Sequence, residues 1–133
     1  MKQVLFACIH NAGRSQMAAA LFDALSDPAK ARAISAGTQP GARVHPEVVD
    51  VMRESGIDLA AVKPQRLTDE LAAEASLLVT MGCGDACPVV PGVEVVDWPL
   101  EDPKGKTAER VREIRDDIRA RVTRLVIARG WAK

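Results

Sequence analysis

Tyrosine is absent from this chain of 133 residues, and only two phenylalanines and two tryptophans are present. Neither charge is in excess, since eighteen lysines and arginines balance eighteen aspartates and glutamates. That balance argues against the strongly basic surface of a nucleic-acid binder. No run approaches the ~18 apolar residues of a membrane span, and the first ten residues are too short for a signal-peptide core. The expectation is a cytoplasmic protein with no membrane or nucleic-acid partner. Its length fits a single domain over residues 1–133, with a monomer as the default. Structural disulfides are rare in the cytosol. The three cysteines are therefore read first as catalytic, redox or metal-binding, with buried inert thiols as the plain alternative.

What is present alternates. Gln3 to Cys8 is a continuous apolar strand of the kind covered on both faces of a parallel sheet. Ser15 to Leu25 reads as a helix, with Met17, Ala20, Leu21 and Leu25 one turn apart and Asp27-Pro28 as its stop. Ala31 to Ser35 is a second strand. Pro46 and Glu47 open another helix, which Gly56 ends. Thr68 caps a short helix running to Ala75. Ser76 to Thr80 and Val93 to Trp98 are the third and fourth strands. From Thr107 to Arg129, the stripe Val111, Ile114, Ile118, Val122 and Leu125 marks a long amphipathic helix, whose arginines read as a solvated face. This order predicts an α/β three-layer sandwich around a four-stranded parallel sheet. Ligands of such sheets bind beyond the carboxyl ends of the strands. The loops after Ala7, Ser35, Thr80 and Trp98 are therefore the ones to watch.

The first of them reads CIHNAGRS, Cys8 to Ser15. The backbone amides of a strand-to-helix loop and the unsatisfied N–H groups of the helix that follows attract an anion. Gly13 permits a backbone conformation that other residues avoid, and Asn11 tolerates the left-handed region. The planar fork of Arg14 suits two oxygens of a tetrahedral oxyanion. Cys8 sits at the mouth, where a thiolate is stabilised, and the Ser15 hydroxyl is placed to donate to it without a histidine base. A cysteine and an arginine with five residues between them are a weak signal alone. A simple turn stays open. A nucleotide-type phosphate loop does not, because the lysine before the Ser is missing.

VLFACIHNAGRSQMA resembles the signature of the low-molecular-weight protein tyrosine phosphatases and of the arsenate reductases that share their fold. The resemblance continues through SAGT at 35–38, HPEVVDVMRESGID at 45–58, LLVTMGCGDACP at 77–88 and DWPLEDPKG at 97–105. It implies Cys8 as nucleophile and an oxyanion loop made of Ile9, His10, Asn11, Ala12, Gly13, Arg14 and Ser15. Asp102, before Pro103, holds the place of the general acid. Taken alone, EDPKG is a type I turn, and a rigid turn is a good support for an acid. In the phosphatases, aromatic residues follow that Asp-Pro and flank the substrate ring. Here Lys104 and Gly105 follow it, which counts against a tyrosine phosphatase.

Cys83 and Cys87 give the thiols a second meaning. The three-cysteine pattern is that of thioredoxin-coupled arsenate reductases. It implies arsenate as substrate, phosphate or sulfate as competing oxyanions, and thioredoxin as electron donor. A relay of thiol–disulfide exchanges then runs from Cys8 to Cys83 to Cys87, and each pair must at some moment bring its Cα atoms within roughly 7 Å. Only three residues separate Cys83 from Cys87, fewer than in well-known members. Some relatives hold potassium with the counterpart of Asn11 and an acidic residue at the place of Ala19. Ala19 cannot be a ligand, and Lys63 is the candidate to support the loop in the ion's place. No cofactor and no metal is expected. Two alternatives stay open: a phosphatase acting through Cys8, Arg14, Ser15 and Asp102, and a non-catalytic metal- or redox-sensing module. For the last, Cys8, His10, Cys83 and Cys87 would form a Cys3His set.

Overall fold

The apolar runs and amphipathic stretches fold in the expected alternation. The computed structural model describes residues 2–82 and 90–133. Among them the elements are β1 (Lys2–Cys8), α1 (Arg14–Leu25), β2 (Ala31–Gly37), α2 (Pro46–Arg53), α3 (Asp69–Glu74), β3 (Leu77–Thr80), β4 (Glu94–Asp97) and α4 (Ala108–Ala128). The four strands form one parallel sheet in the order β2-β1-β3-β4. β1 is paired on both sides, Cys8 opposite Gly37 on one and Ala7 opposite Thr80 on the other. All four strands therefore end at the same edge of the sheet, and that edge carries the loop of residues 9–13.

Alternation along β1 assigns its side chains to two cores. Val4, Phe6 and Cys8 face the larger one with α1, α2 and α4, while Leu5 and Ala7 face a smaller one with Ala72 of α3. Phe6 is fully buried, with ring centroids 5.8 Å from both Phe22 and Trp98. Truncating such a ring costs about 3–5 kcal/mol. On α1 the buried anchors are Met17, Ala18, Leu21 and Phe22, so the stripe is rotated from the expected one, and Ala20 and Leu25 pack only partly buried. On α4, Val126 is buried where the stripe predicts Leu125, and Leu125 lies at the margin. β4 is an edge strand, mostly exposed.

Caps follow the sequence: the Thr68 hydroxyl accepts from Leu71 N–H and the Thr107 hydroxyl from Arg110 N–H, each at 3.2 Å. Pro46 starts α2, and Gly56, at φ +76°, turns the chain away after it. The arginines of α4 do more than meet water. Arg112 grips the Glu54 carboxylate through both oxygens, Arg115 adds a bond at 3.0 Å, and Arg119 donates to the Ser55 hydroxyl at 2.6 Å. The bonds from Arg112 first, and then Arg115, hold the Glu54 carboxyl down at about 2. They tie the end of α2 to α4, so the arginine face is partly structural. No helix among the described residues is long and apolar enough to cross a membrane.

Candidate active site

The end of β1 puts the Cys8 thiol inside the larger core rim, 1 % exposed, and the first turn of α1 brings Ser15 beneath it. Cys8 Sγ lies 2.9 Å from Ser15 Oγ. Which of the two donates is fixed by a third group. Asn11 Nδ2 donates to Ser15 Oγ at 2.7 Å, so the hydroxyl accepts there and has its own hydrogen to give to the sulfur. The Ser15 hydroxyl is thus placed as a hydrogen-bond donor to the Cys8 sulfur. Asn11 is fully buried at φ +51°, the left-handed conformation expected for it.

Gly13 is required for a different reason than its freedom. Its φ is −146°, and a Cβ there would lie 2.7 Å from Pro103 Cγ and 3.5 Å from His45 Cδ2. The glycine makes room for the 101–105 loop. Gly37, at the end of β2, makes room for the oxyanion loop: a Cβ would lie 2.6 Å from the Ile9 carbonyl oxygen and 2.8 Å from Asn11 N. The backbone N–H groups of residues 9–13 donate to no acceptor among the described residues, and α1 begins without a side-chain cap. Those amides and the positive end of α1 suit an anion.

Arg14 is 6 % exposed and held from above. Its Nη1 donates to the Leu100 carbonyl at 3.2 Å, and its Nη2 stands 3.9 Å from Asp102 Oδ2. A Cβ on Gly82, which sits at φ +94°, would collide with the same guanidinium. The Asp102 side chain is 43 % exposed, and Oδ1 accepts from Lys104 N–H at 3.0 Å. The hydrogen-bonded turn lies one residue later than the sequence suggests, Lys106 N–H donating to the Pro103 carbonyl at 3.1 Å with Gly105 at φ +71° and its N–H turned away to Glu47. Asp102 makes an Asx turn with one oxygen, and the other faces Arg14. The loop is fastened by buried Pro103 against Gly13 and by Gly105 N–H donating to Glu47 Oε1 at 3.0 Å. Glu101 points elsewhere, to Arg110 at 2.8 Å.

The two histidines lie on the rim. His10 Nδ1 donates to the Gln39 carbonyl at 3.1 Å. His45 donates its backbone N–H to the Ala12 carbonyl at 2.9 Å. Partial burial pushes the His45 imidazole pKa down, against the opposing pull of Glu47 and Asp102.

Lys63 is exposed and makes no hydrogen bond or ion pair among the described residues, and Asn11 is supported from elsewhere. Asn11 Oδ1 accepts Gln65 N–H at 2.9 Å and Gln16 Nε2 at 3.1 Å, and Gln16 Nε2 also reaches the Asn11 carbonyl at 3.1 Å. Two donors occupy the lone pairs of that oxygen. Sequence reasoning does not single out Gln16, Gln65, Glu47 or the Leu100 carbonyl as site groups. Only the left-handed Asn11 gives a signal, since a strained buried amide needs partners. Cys83 and Cys87 lie outside the described residues. Among the described residues no cluster of metal-ligating side chains is found.

A thiol at the end of a first parallel strand, an arginine six residues on and an Asp-Pro loop above them define a class. The chain belongs to the low molecular weight phosphotyrosine protein phosphatase family, whose model matches residues 3–130. Its relatives within that fold include arsenate reductases. It is similar to the thioredoxin-dependent arsenate reductase of Corynebacterium glutamicum, with TM-score 0.83 and 37 % identity over 96 % of this chain. The chain spans 61 % of the length of that structure. An arsenate reductase from Archaeoglobus fulgidus superposes with TM-score 0.77 and 36 % identity, covering 92 % of this chain and 98 % of the other. The glutaredoxin arsenate reductase of a Synechocystis species is 33 % identical over 129 residues, 95 % of this chain and 97 % of that one.

Proposed function

We propose that this protein is an arsenate reductase whose product is arsenite. The observation that carries the reading is the Cys8 thiol 2.9 Å from a hydroxyl that has a proton to give, below Arg14 and Asp102. The near full-length likeness to arsenate reductases supports the choice of arsenate over phosphate, as do the two further cysteines in the sequence.

Arsenate occupies the loop of residues 9–15 with Arg14 on its oxygens. The Cys8 thiolate attacks arsenic, an As–O bond breaks, and Asp102 protonates the departing oxygen so that water leaves. The Cys83 thiolate then attacks Cys8 Sγ. The electron pair of the S–As bond passes to arsenic, which leaves as arsenite, reduced by two electrons. A Cys8–Cys83 disulfide remains. Cys87 attacks Cys83, frees Cys8 as a thiolate and closes a Cys83–Cys87 disulfide, which an external dithiol reduces. Thioredoxin is the expected donor and the C. glutamicum relative is named for it, whereas the Synechocystis relative is named for glutaredoxin. The reaction takes place in a cytoplasmic, single-domain monomer without cofactor.

The test supplies arsenate with thioredoxin, its reductase and a hydride donor, and in a parallel arm glutaredoxin with glutathione. Parent protein is compared with Cys8→Ser, Cys83→Ser and Cys87→Ser. Each substitution is expected to stop multiple turnover, while Cys83→Ser and Cys87→Ser retain phosphatase activity on p-nitrophenyl phosphate. Full arsenate turnover by Cys83→Ser would falsify the relay. A second reading, hydrolysis of a phosphate monoester through a Cys8 phosphocysteine, is favoured by the family itself. It predicts phosphatase turnover with no arsenate-dependent oxidation of thioredoxin or glutaredoxin.

A further inference from the structure

Residues 65–67 lie along the outer edge of β2 without belonging to a named strand. Gly37 and Arg66 form an isolated parallel bridge. Gly37 N–H donates to the Gln65 carbonyl at 2.9 Å, and Leu67 N–H donates to the Gly37 carbonyl at 2.8 Å. Gln65 Nε2 donates to the Ser35 carbonyl at 2.8 Å, although the residue itself is exposed. The segment is thus a short strap zipped to the last residues of β2. Its first N–H, that of Gln65, points inward to Asn11 Oδ1 at 2.9 Å.

A carboxamide has two faces, one that accepts and one that donates, and its orientation is set by its partners. The N–H of Gln65 can only donate. The Asn11 atom opposite it must therefore be oxygen, and Nδ2 is turned toward Ser15. Ser15 Oγ, already an acceptor, then directs its hydrogen to Cys8. The polarity of the whole chain, Gln65 N–H to Asn11, Asn11 to Ser15, Ser15 to Cys8, runs one way. Gln16 Nε2, itself fixed as a donor by the Asn11 main-chain carbonyl, reaches the same Asn11 oxygen and acts in the same direction. Gln65 N–H is therefore one of two donors on that atom and the one supplied by the strap.

We propose that the 65–67 strap is a positioning element of the active site: the Gln65 backbone N–H aims the Asn11 carboxamide so that the Ser15 hydroxyl donates to Cys8. Gln65 touches neither substrate nor sulfur. The proposal rests on the reading of Cys8 as the reacting thiol, and it concerns the backbone of residue 65 more than its side chain.

The test is the pH profile of Cys8 alkylation by iodoacetamide, in a Cys83→Ser, Cys87→Ser background so that only one thiol reports. Gln65→Pro removes the N–H, whereas Gln65→Ala removes only the bond to Ser35. The Pro variant is expected to move the alkylation profile to higher pH and to slow alkylation near neutral pH by about two- to tenfold, the value of one hydrogen bond in a chain. The Ala variant is expected to move it less. In an Asn11→Ala background, Gln65→Pro should add nothing, because the two act on one path. A Gln65→Pro profile that superimposes on the parent's, or effects that add in full, overturns the proposal. If Gln65→Pro does not fold, amide exchange followed by NMR decides. The Gln65 amide is expected to be protected in the parent and to lose protection in Asn11→Ala; an amide unprotected in the parent overturns the proposal as well. Protection of Cys8 from alkylation by inorganic phosphate separately tests the functional reading and is independent of the Gln65 comparison.

Discussion

On the β2 side, the oxyanion loop meets backbone: Gly37 lies under the Ile9 carbonyl and Asn11 N, and Gln65 N–H seats Asn11. On the other side it meets side chains. Pro103 lies against Gly13, the Glu47 carboxylate holds Gly105, and Asp102 stands 3.9 Å from a guanidinium. The first flank centres on the buried Asn11 side chain, whose oxygen takes two donors. The second is partly exposed and fastened by groups that can shift. Each arrangement suits its task. A thiolate has to be formed before any substrate arrives, so its hydrogen-bond donor has to be in place at rest. An acid has to follow an oxygen as it leaves, and the Asp102 side chain, 43 % exposed, has room to do so.

One methyl group added on each side tells the two flanks apart. In Gly37→Ala the methyl pushes against the Ile9 carbonyl and Asn11 N, at 2.6 and 2.8 Å, and against Asn11 Cβ at 3.0 Å. The oxyanion loop must move, and the expected results are a loss of about 1–3 kcal/mol in stability and a fall in turnover on the order of a hundredfold. Slower Cys8 alkylation near neutral pH should accompany them. In Gly13→Ala the methyl meets the Pro103 ring instead. Turnover should fall about tenfold or more through the displaced acid, with Cys8 alkylation close to that of the parent. Urea titration, kcat and alkylation rate measured on both variants check this. Equal loss of alkylation in the two would show that the flanks are not separable.

Asn11→Asp sharpens the nucleophile side. The carboxylate still accepts from Gln65 N–H but cannot donate to Ser15, and it places a negative charge near the sulfur. Alkylation at neutral pH is expected to fall about tenfold, and phosphate protection should weaken with it. A smaller effect belongs to the acid side. Glu47→Ala removes the acceptor of Gly105 N–H, an exposed bond contributing about 0.5–1.5 kcal/mol. A roughly two- to threefold lower kcat with unchanged KM and unchanged Cys8 alkylation is the expected outcome. A change in alkylation would place Glu47 on the wrong flank.

Much of this architecture is legible in the amino-acid sequence alone. Short apolar runs separated by helical stretches point to the parallel sheet, because strand and helix periods differ and parallel strands need crossovers. Cys8, Asn11, Arg14, Ser15 and Asp102 stand out because their chemistry is local to two short loops. Gln65 does not, since what matters there is a backbone N–H, which every residue but proline carries and no residue type advertises. Gly13 stands out for its conformational freedom and is needed for its lack of a side chain. That need arises from Pro103, far along the chain, and such proximity is invisible in a local stretch. Lys63 draws notice by its charge, while the bond to Asn11 is made by a neutral group, the backbone N–H of Gln65.

His45 lies between the two flanks, its N–H on Ala12 and its ring against Gly13. Burial depresses its pKa in the folded protein below the ordinary value of 6.5. As pH falls, the unfolded chain therefore takes up the proton first. The stability that the neutral ring contributes is present above about 6.5 and is lost progressively as pH drops from there through the lower folded value. Glu54, held at about 2, titrates from 4.5 downward and does not enter this window. His45→Asn removes the titration and, as an asparagine at the start of α2, adds a pH-independent cap. The slopes, not the absolute stabilities, carry the answer. Between about pH 7.5 and 5.5 the urea midpoint of the parent should fall more than that of the variant, by a small margin because the ring is partly solvated. Parallel slopes would mean that protonated His45 is accommodated where it stands, with Glu47 and Asp102 outweighing burial, and would join the rim histidine to the adjustable flank of the site.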